Sequence, residues 1–141
     1  VKGECNCGAV QYEIDATLPG IFVCHCSICR RSTRPSGIAE VVFPKPQFRR
    51  VRGEARMQLE QARHGITTWT KPGTDWHKWF CTVCGSPVPG ENDASTMFAP
   101  AGCLTEGAES LEVIHHVWVG SKAPWDEIGD SGHQPLEGYR I

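Results

Sequence analysis

Residues 9–16, AVQYEIDA, alternate apolar and polar side chains, the period-2 pattern of a strand with one buried face. Two further runs, IAEVVFP (38–44) and LEVIHHVWVG (111–120), are rich in β-branched and aromatic residues and are bounded by Gly or Pro, so both read as strands. Helical periodicity is scarce. APWDEIGD (123–130) offers one short helical turn and CSICRRST (26–33) another, while 15 glycines and 10 prolines punctuate the rest in turn signals such as SPVPG and APAG. The pattern predicts a mainly β fold of short antiparallel strands. No repeat, linker or low-complexity tract divides the chain, so residues 1–141 read as a single domain, long enough to bury a core without disulfide staples.

Charge narrows the classes of partner. A net charge of -2 and a pI near 6.3 argue against nucleic-acid binding, which calls for a clear basic excess. The locally basic FRRVRGEAR, with Arg49, Arg50, Arg52 and Arg56, lacks interleaved aromatics and reads as the solvated face of a strand and turn. There is no apolar run of membrane-spanning length and no signal-peptide pattern, so a soluble cytoplasmic protein without membrane partners is the expectation.

The eight cysteines change the picture most. They fall as Cys5–Cys7, Cys24–Cys26–Cys29, Cys81–Cys84 and a separate Cys103, a spacing that suits metal ligands better than a disulfide framework. Cys5, Cys7, Cys81 and Cys84 supply the four thiolates of a closed tetrahedral zinc site, and Gly8 and Gly85 follow the two pairs where the backbone must turn. Two thiol pairs that never meet, redox-active or free, are the competing reading.

VCHCSIC packs three thiols into residues 23–29. A side-chain disulfide across one or two residues closes a strained ring, whereas a metal accepts all three sulfurs at once. Three protein ligands with a fourth position open describe a catalytic metal centre. Zinc held by three thiolates carries a net negative charge and acidifies bound water only weakly. A thiol, far more acidic than water, is still held there as thiolate, so an incoming sulfur nucleophile suits this ligand set better than hydrolysis. Iron is the competing metal for both groups, with Cys103 a conceivable fourth ligand for the second.

GECNCGAVQYE, CHCSICRR, WFCTVCGSP, APAGCL and IHHVWVGSKAPWDEIGD follow one another in that order, and together they resemble the glutathione-dependent formaldehyde-activating enzyme family, which is similar to the domain of centromere protein V. The resemblance spans nearly the whole chain. It implies a single-domain, tent-like β-sandwich stapled by a structural zinc on Cys5, Cys7, Cys81 and Cys84. It also implies a second, catalytic zinc on Cys24, Cys26 and Cys29, hence two zinc ions per chain. The implied activity is that of a carbon–sulfur lyase, joining the co-substrate glutathione to formaldehyde as S-hydroxymethylglutathione by attack of a zinc-held thiolate on the aldehyde. A zinc-stabilised binding module, or an enzyme of the same fold acting on another small electrophile, shares these motifs. The chain departs from the family in RRSTRPSG, which inserts Pro35 and delays a glycine to Gly37, so the loop Ser32–Gly37 is expected to shape the substrate site.

Other residues are weighed singly. Arg30 and Arg31, next to an anionic metal centre, can hold a carboxylate of a glutathione-like ligand. His25 points away from its flanking cysteines and is read as a non-ligand. His115 and His116 face opposite sides of a strand, one of them toward the core and hydrogen-bonded. His64, His77 and His133 lie in loop-like surroundings, and Cys103 reads as a small buried side chain. Trp69, Trp76, Trp79, Trp118 and Trp125 read as core or sheet packing, with WHKWF (76–80) also able to wall a substrate pocket.

Overall fold

The computed structural model of the protein describes residues 1–33, 36–52 and 65–138. Pro35, Arg56 and His64 lie outside the described residues. Strands β1 (Lys2–Glu4), β2 (Gln11–Ile14), β5 (Phe48–Arg52) and β10 (Leu104–Glu106) form an antiparallel sheet in the order β10-β1-β2-β5. A second sheet runs β11 (Val113–Val117), β3 (Ile21–Cys24), β4 (Ile38–Pro44), β9 (Thr96–Pro100) and β8 (Gly90–Glu91). A hairpin of β6 (Ile66–Thr70) and β7 (His77–Cys81) completes the described strands, and among the described residues one α-helix, α1 (Ser27–Thr33), lies against β4.

The period-2 reading explains which faces meet. On β2, Tyr12 and Ile14 are buried; on β4, Val41 and Phe43 are. These side chains, with Val10, Met97, Ala99 and Val88, form the main core between the two sheets. Phe43 of one sheet stands against Phe48 of the other, with ring centroids 6.0 Å apart. Ile38, Glu40 and Val42 alternate with the core-facing positions and so occupy the other face of β4. There Ile38 packs into a second, smaller cluster with Cys24, Cys29 and Val117.

The mainly β expectation holds, and three of the anticipated strands and the helix at 26–33 stand where the pattern put them. APWDEIGD forms a single turn closed by the Asp126 N–H on the Ala123 carbonyl. One pairing departs from the all-antiparallel expectation: β11 runs parallel to β3, with His116 opposite Val23 and Val117 opposite Cys24. A parallel pair needs a long crossover, and nearly the whole middle of the chain supplies it. This pairing sets the C-terminal loop against the cysteine-rich loop that follows β3.

Candidate metal centres

Cys5, Cys7, Cys81 and Cys84 converge, their sulfurs all within 4.8 Å of one another. Two turns of matching design bring them there. The Gly8 N–H donates to the Cys5 carbonyl, and the Gly85 N–H donates to the Cys81 carbonyl, both at 2.9 Å. Gly8 and Gly85 have φ of +71° and +72°, a left-handed conformation that costs glycine little. Cys5 and Cys81 are buried in the main core, whereas Cys7 and Cys84 are exposed. The Cys7 sulfur stands 3.6 Å from Cys5 and 3.8 Å from Cys81. Four sulfurs around one ion at the usual zinc–sulfur distance of about 2.3 Å stand roughly 3.8 Å apart, so the spacing fits a tetrahedral ion and is far too long for a disulfide.

Polar support surrounds this quartet. The Val10 N–H donates to the Cys5 sulfur at 3.3 Å, and the Cys84 sulfur lies 3.2 Å from the Ser86 hydroxyl. The same hydroxyl accepts the Asn6 N–H at 3.1 Å, tying the two turns together. Burial works against ionising Cys84, but hydrogen bonds from Ser86 and from the Cys7 backbone outweigh it and bring the thiol down to about 6.

Cys24, Cys26 and Cys29 form the second group, again within 4.8 Å of one another, and among the described residues no fourth His, Cys, Asp or Glu joins them. Cys24 ends β3, Cys26 sits in the connecting loop and Cys29 belongs to α1. Hydrogen bonds from the Cys24 and Cys29 thiols hold Cys26 low, at about 2, while Cys24 is raised to about 11 and Cys29 is raised as well. A single proton-poor sulfur flanked by two proton-rich ones is the resting pattern of thiolates too close to ionise together; a cation among them removes the conflict. The Cys29 N–H donates to the Cys26 sulfur at 3.4 Å.

The loop is braced on every side. A Cβ on Gly37 would stand 2.3 Å from the Cys24 carbonyl oxygen, so only glycine permits β4 to start that close to the ligand. This accounts for the delayed glycine of the RRSTRPSG segment. The Thr33 hydroxyl reaches the carbonyls of Cys29 and Gly37 at 3.0 and 2.9 Å. His25, between two of the cysteines, turns the opposite way into a buried chain. Asp130 accepts the His116 Nε2–H at 2.8 Å, which leaves His116 Nδ1 to accept from His25 Nε2–H at 2.9 Å. His25 Nδ1 faces the Asp126 carboxylate at 3.6 Å. Burial, and then His116, lower the His25 pKa.

A cleft of about 650 Å³ opens beside the trio, lined by Cys29, by Glu40 of β4 and by Trp76, Lys78 and Trp79 of the WHKWF segment. The aromatics of that segment thus wall a pocket, as their sequence position suggested. Asn6 and Ser86, which tie the quartet's two turns together, also line it. Arg30 spends its Nε–H on the His25 carbonyl at 3.3 Å, Arg31 is exposed, and the lysine among the lining residues is Lys78. Cys103 lines the cleft apart from both groups, its thiol donating to the Pro87 carbonyl at 3.3 Å.

The remaining residues weighed singly fall partly as expected and partly not. His116 is the buried, hydrogen-bonded member of its pair, and His115 stacks on Phe22. His77 is on strand β7 and His133 bridges to His115, so neither is a free loop residue. Trp69, Trp118 and Trp125 are exposed: Trp69 lies on the outer face of the β6–β7 hairpin, Trp118 just past the end of β11 and Trp125 in the turn at Ala123–Asp126. The Asp130 link and Glu40 were not singled out from sequence. The one available signal for Glu40 was a carboxylate inside the otherwise apolar run IAEVVF.

Residues 1–121 match the family model described as glutathione-dependent formaldehyde-activating enzyme. A protein of Halomonas elongata, provisionally named a glutathione-dependent formaldehyde-activating enzyme, is 32% identical over 89 residues. Those residues are 62% of this chain and 54% of the relative, so the match spans about half the length of that protein. A crystal structure of a Rhodobacter sphaeroides protein superposes with a TM-score of 0.56 over 76% of this chain and 90% of the other, at 22% identity, a likeness of fold.

Proposed function

Because the chain belongs to the glutathione-dependent formaldehyde-activating enzyme family, we propose that it is a zinc-dependent carbon–sulfur lyase joining a thiol, glutathione first among them, to formaldehyde. The observation that carries this reading is the difference in completeness between the two sulfur groups. One has the four ligands of a saturated ion; the other offers three sulfurs beside a cleft.

In this reading Cys5, Cys7, Cys81 and Cys84 hold a structural zinc, and Cys24, Cys26 and Cys29 hold a second one. A divalent ion at the trio would supply charge that keeps a nearby thiol ionised at neutral pH. The residues of the chain do the rest. The cleft volume falls within the range that encloses a small organic ligand, so it accommodates a tripeptide thiol with room for a one-carbon aldehyde. Trp76 and Trp79 present apolar walls that exclude water, and the Lys78 ammonium is placed to meet a ligand carboxylate. Arg30 and Arg31, expected in that role, serve it only from outside the lining; Arg30 instead fixes the ligand loop. Holding thiol and aldehyde together converts a bimolecular encounter into a local one, the main catalytic term available here.

Ligand thiols must stay reduced, which fits the cytoplasm as the compartment. No helix among the described residues is long and apolar enough to cross a membrane. The test is direct. Zinc-loaded protein added to glutathione and formaldehyde should speed equilibration with S-hydroxymethylglutathione, read by exchange NMR, and should do so in proportion to zinc at the trio. Equilibration at the protein-free rate would end the proposal.

A further inference from the structure

Five glutamates on the described strands, all with ordinary surface chemistry available to them, are treated differently by the fold. Glu4 accepts the Gln11 Nε2–H at 3.2 Å, Glu13 pairs with Arg49, Glu91 with Lys45 and Glu106 with Lys2. Glu40 is the exception: among the described residues its carboxyl has no hydrogen-bond or ion-pair partner. It is also half-buried on a central strand, between Phe22 of β3 and Pro100 of β9, neither of which can hold a carboxylate. An unpartnered carboxyl in such a place costs stability, and it persists where it has a task.

Its position says what the task is. Glu40 lies on the same face of β4 as Ile38, one pleat repeat away, and Ile38 packs directly on the cysteine trio. The carboxyl lines the cleft together with Cys29. We infer that Glu40 is the proton carrier of the thiol–aldehyde step, facing the cleft where sulfur and carbonyl meet. This rests on the thiol–aldehyde reading above and supplies the general acid and base that reading lacks.

The step balances without any further reactant. The ionised Glu40 carboxylate takes the proton of the incoming S–H. The sulfur then bonds to the carbonyl carbon, the C=O π pair moves onto oxygen, and the Glu40 carboxyl returns the same proton to that oxygen. The product is a neutral S–CH2–OH group, and Glu40 ends as it began. Reversal runs through the same positions. A carrier works best when it is half-loaded at the working pH. Burial, with a smaller contribution from the negative charge at Cys26, raises the Glu40 carboxyl to about 7. The other titratable or charged groups facing the cleft are Cys29, Asp75, His77, Lys78, Glu91 and Cys103, and of the acids among them Glu91 is already paired with Lys45.

The experiment compares wild type, Glu40→Gln and Glu40→Asp, all zinc-loaded, with zinc content and thermal unfolding recorded for each. Glu40→Gln should keep its zinc and its fold, lose roughly 100-fold in kcat/KM, and lose the limb of the pH–rate profile near 7. Glu40→Asp should keep that limb with a smaller loss. A Glu40→Gln protein that retains both the limb and more than a third of kcat/KM overturns the inference. Should the wild type itself leave glutathione and formaldehyde at the protein-free rate, the substrate reading fails separately. The carboxyl 13C signal absent from Glu40→Gln then decides: a midpoint near 7 upholds a proton carrier, and an ordinary carboxylate midpoint overturns it.

Discussion

The quartet and the trio are made of the same side chain, and the fold surrounds them in opposite ways. In the quartet the sulfurs come from two turns more than 70 residues apart, two of them buried in the main core and two exposed. Its partners are backbone amides and one serine, enough to close a knot between distant segments. In the trio all three sulfurs come from one continuous stretch, the end of β3, the loop and the start of α1, so binding a metal there joins nothing that the chain has not already joined. The surroundings are correspondingly richer: a glycine pressed on the Cys24 carbonyl, a His–His–Asp chain behind the loop and a cleft in front of it. A ligand set that spans the chain stabilises the fold; a ligand set braced by the fold is available for chemistry.

The sharpest way to break this contrast is at the quartet. Cys81→Ser removes one sulfur of the four, and on the proposed function, where metal binding there is folding free energy, on the order of 10 kcal/mol is at stake. The variant should show no cooperative thermal transition by circular dichroism. A folded Cys81→Ser protein would make the quartet dispensable.

Gly37→Ala attacks the bracing of the trio. The new methyl would overlap the Cys24 carbonyl oxygen at 2.3 Å, and overpacking against backbone should cost about 3 kcal/mol, read as a lowered denaturation midpoint. An unchanged midpoint would show that the ligand loop is free to shift.

Glu40 carries an expected cost of its own. In the unfolded chain its carboxyl ionises near 4.5 and in the fold near 7. Between those values the fold holds a proton that the unfolded chain has released, so stability falls as pH rises through that window and the full cost applies above 7. Glu40→Gln should therefore be more stable than wild type by about 2 kcal/mol at pH 8, allowing for partial exposure, and nearly equal to it at pH 4. Equal stability at both pH values would show that burial does not press on this carboxyl.

The smallest effect expected is at the far end of the histidine chain. Asp130→Ala removes the acceptor of His116 and should weaken metal binding at the trio about 10-fold while leaving the quartet's affinity as it was. Competition with a chromophoric chelator measures both sites in one titration. Equal weakening at both would mean that Asp130 supports the fold in general.

Much of this contrast was legible in the chain. The cysteine spacing separated four sulfurs from three, because C-x-C and C-x-x-C pairs fix local geometry through a turn of the backbone. Alternation in AVQYEIDA and IAEVVFP located β2 and β4 and gave the faces they bury. What periodicity cannot give is the identity of a strand's neighbour. The parallel pairing of β11 with β3 sets His116 against His25, 91 residues away, and nothing local to either residue encodes that meeting. Glu40 was hidden for the same reason: alternation marked it as facing away from the core, and only the placement of α1 and the WHKWF strand turns that face into a cleft.

The central claim, that one sulfur group braces the domain and the other is free to act, is tested most directly by counting zinc. Native mass spectrometry on wild type and Cys26→Ser, with thermal unfolding followed in parallel, should find two ions per chain in the first and one in the second, both unfolding cooperatively. A Cys26→Ser protein that keeps both ions, or that loses its fold with the first, would contradict it.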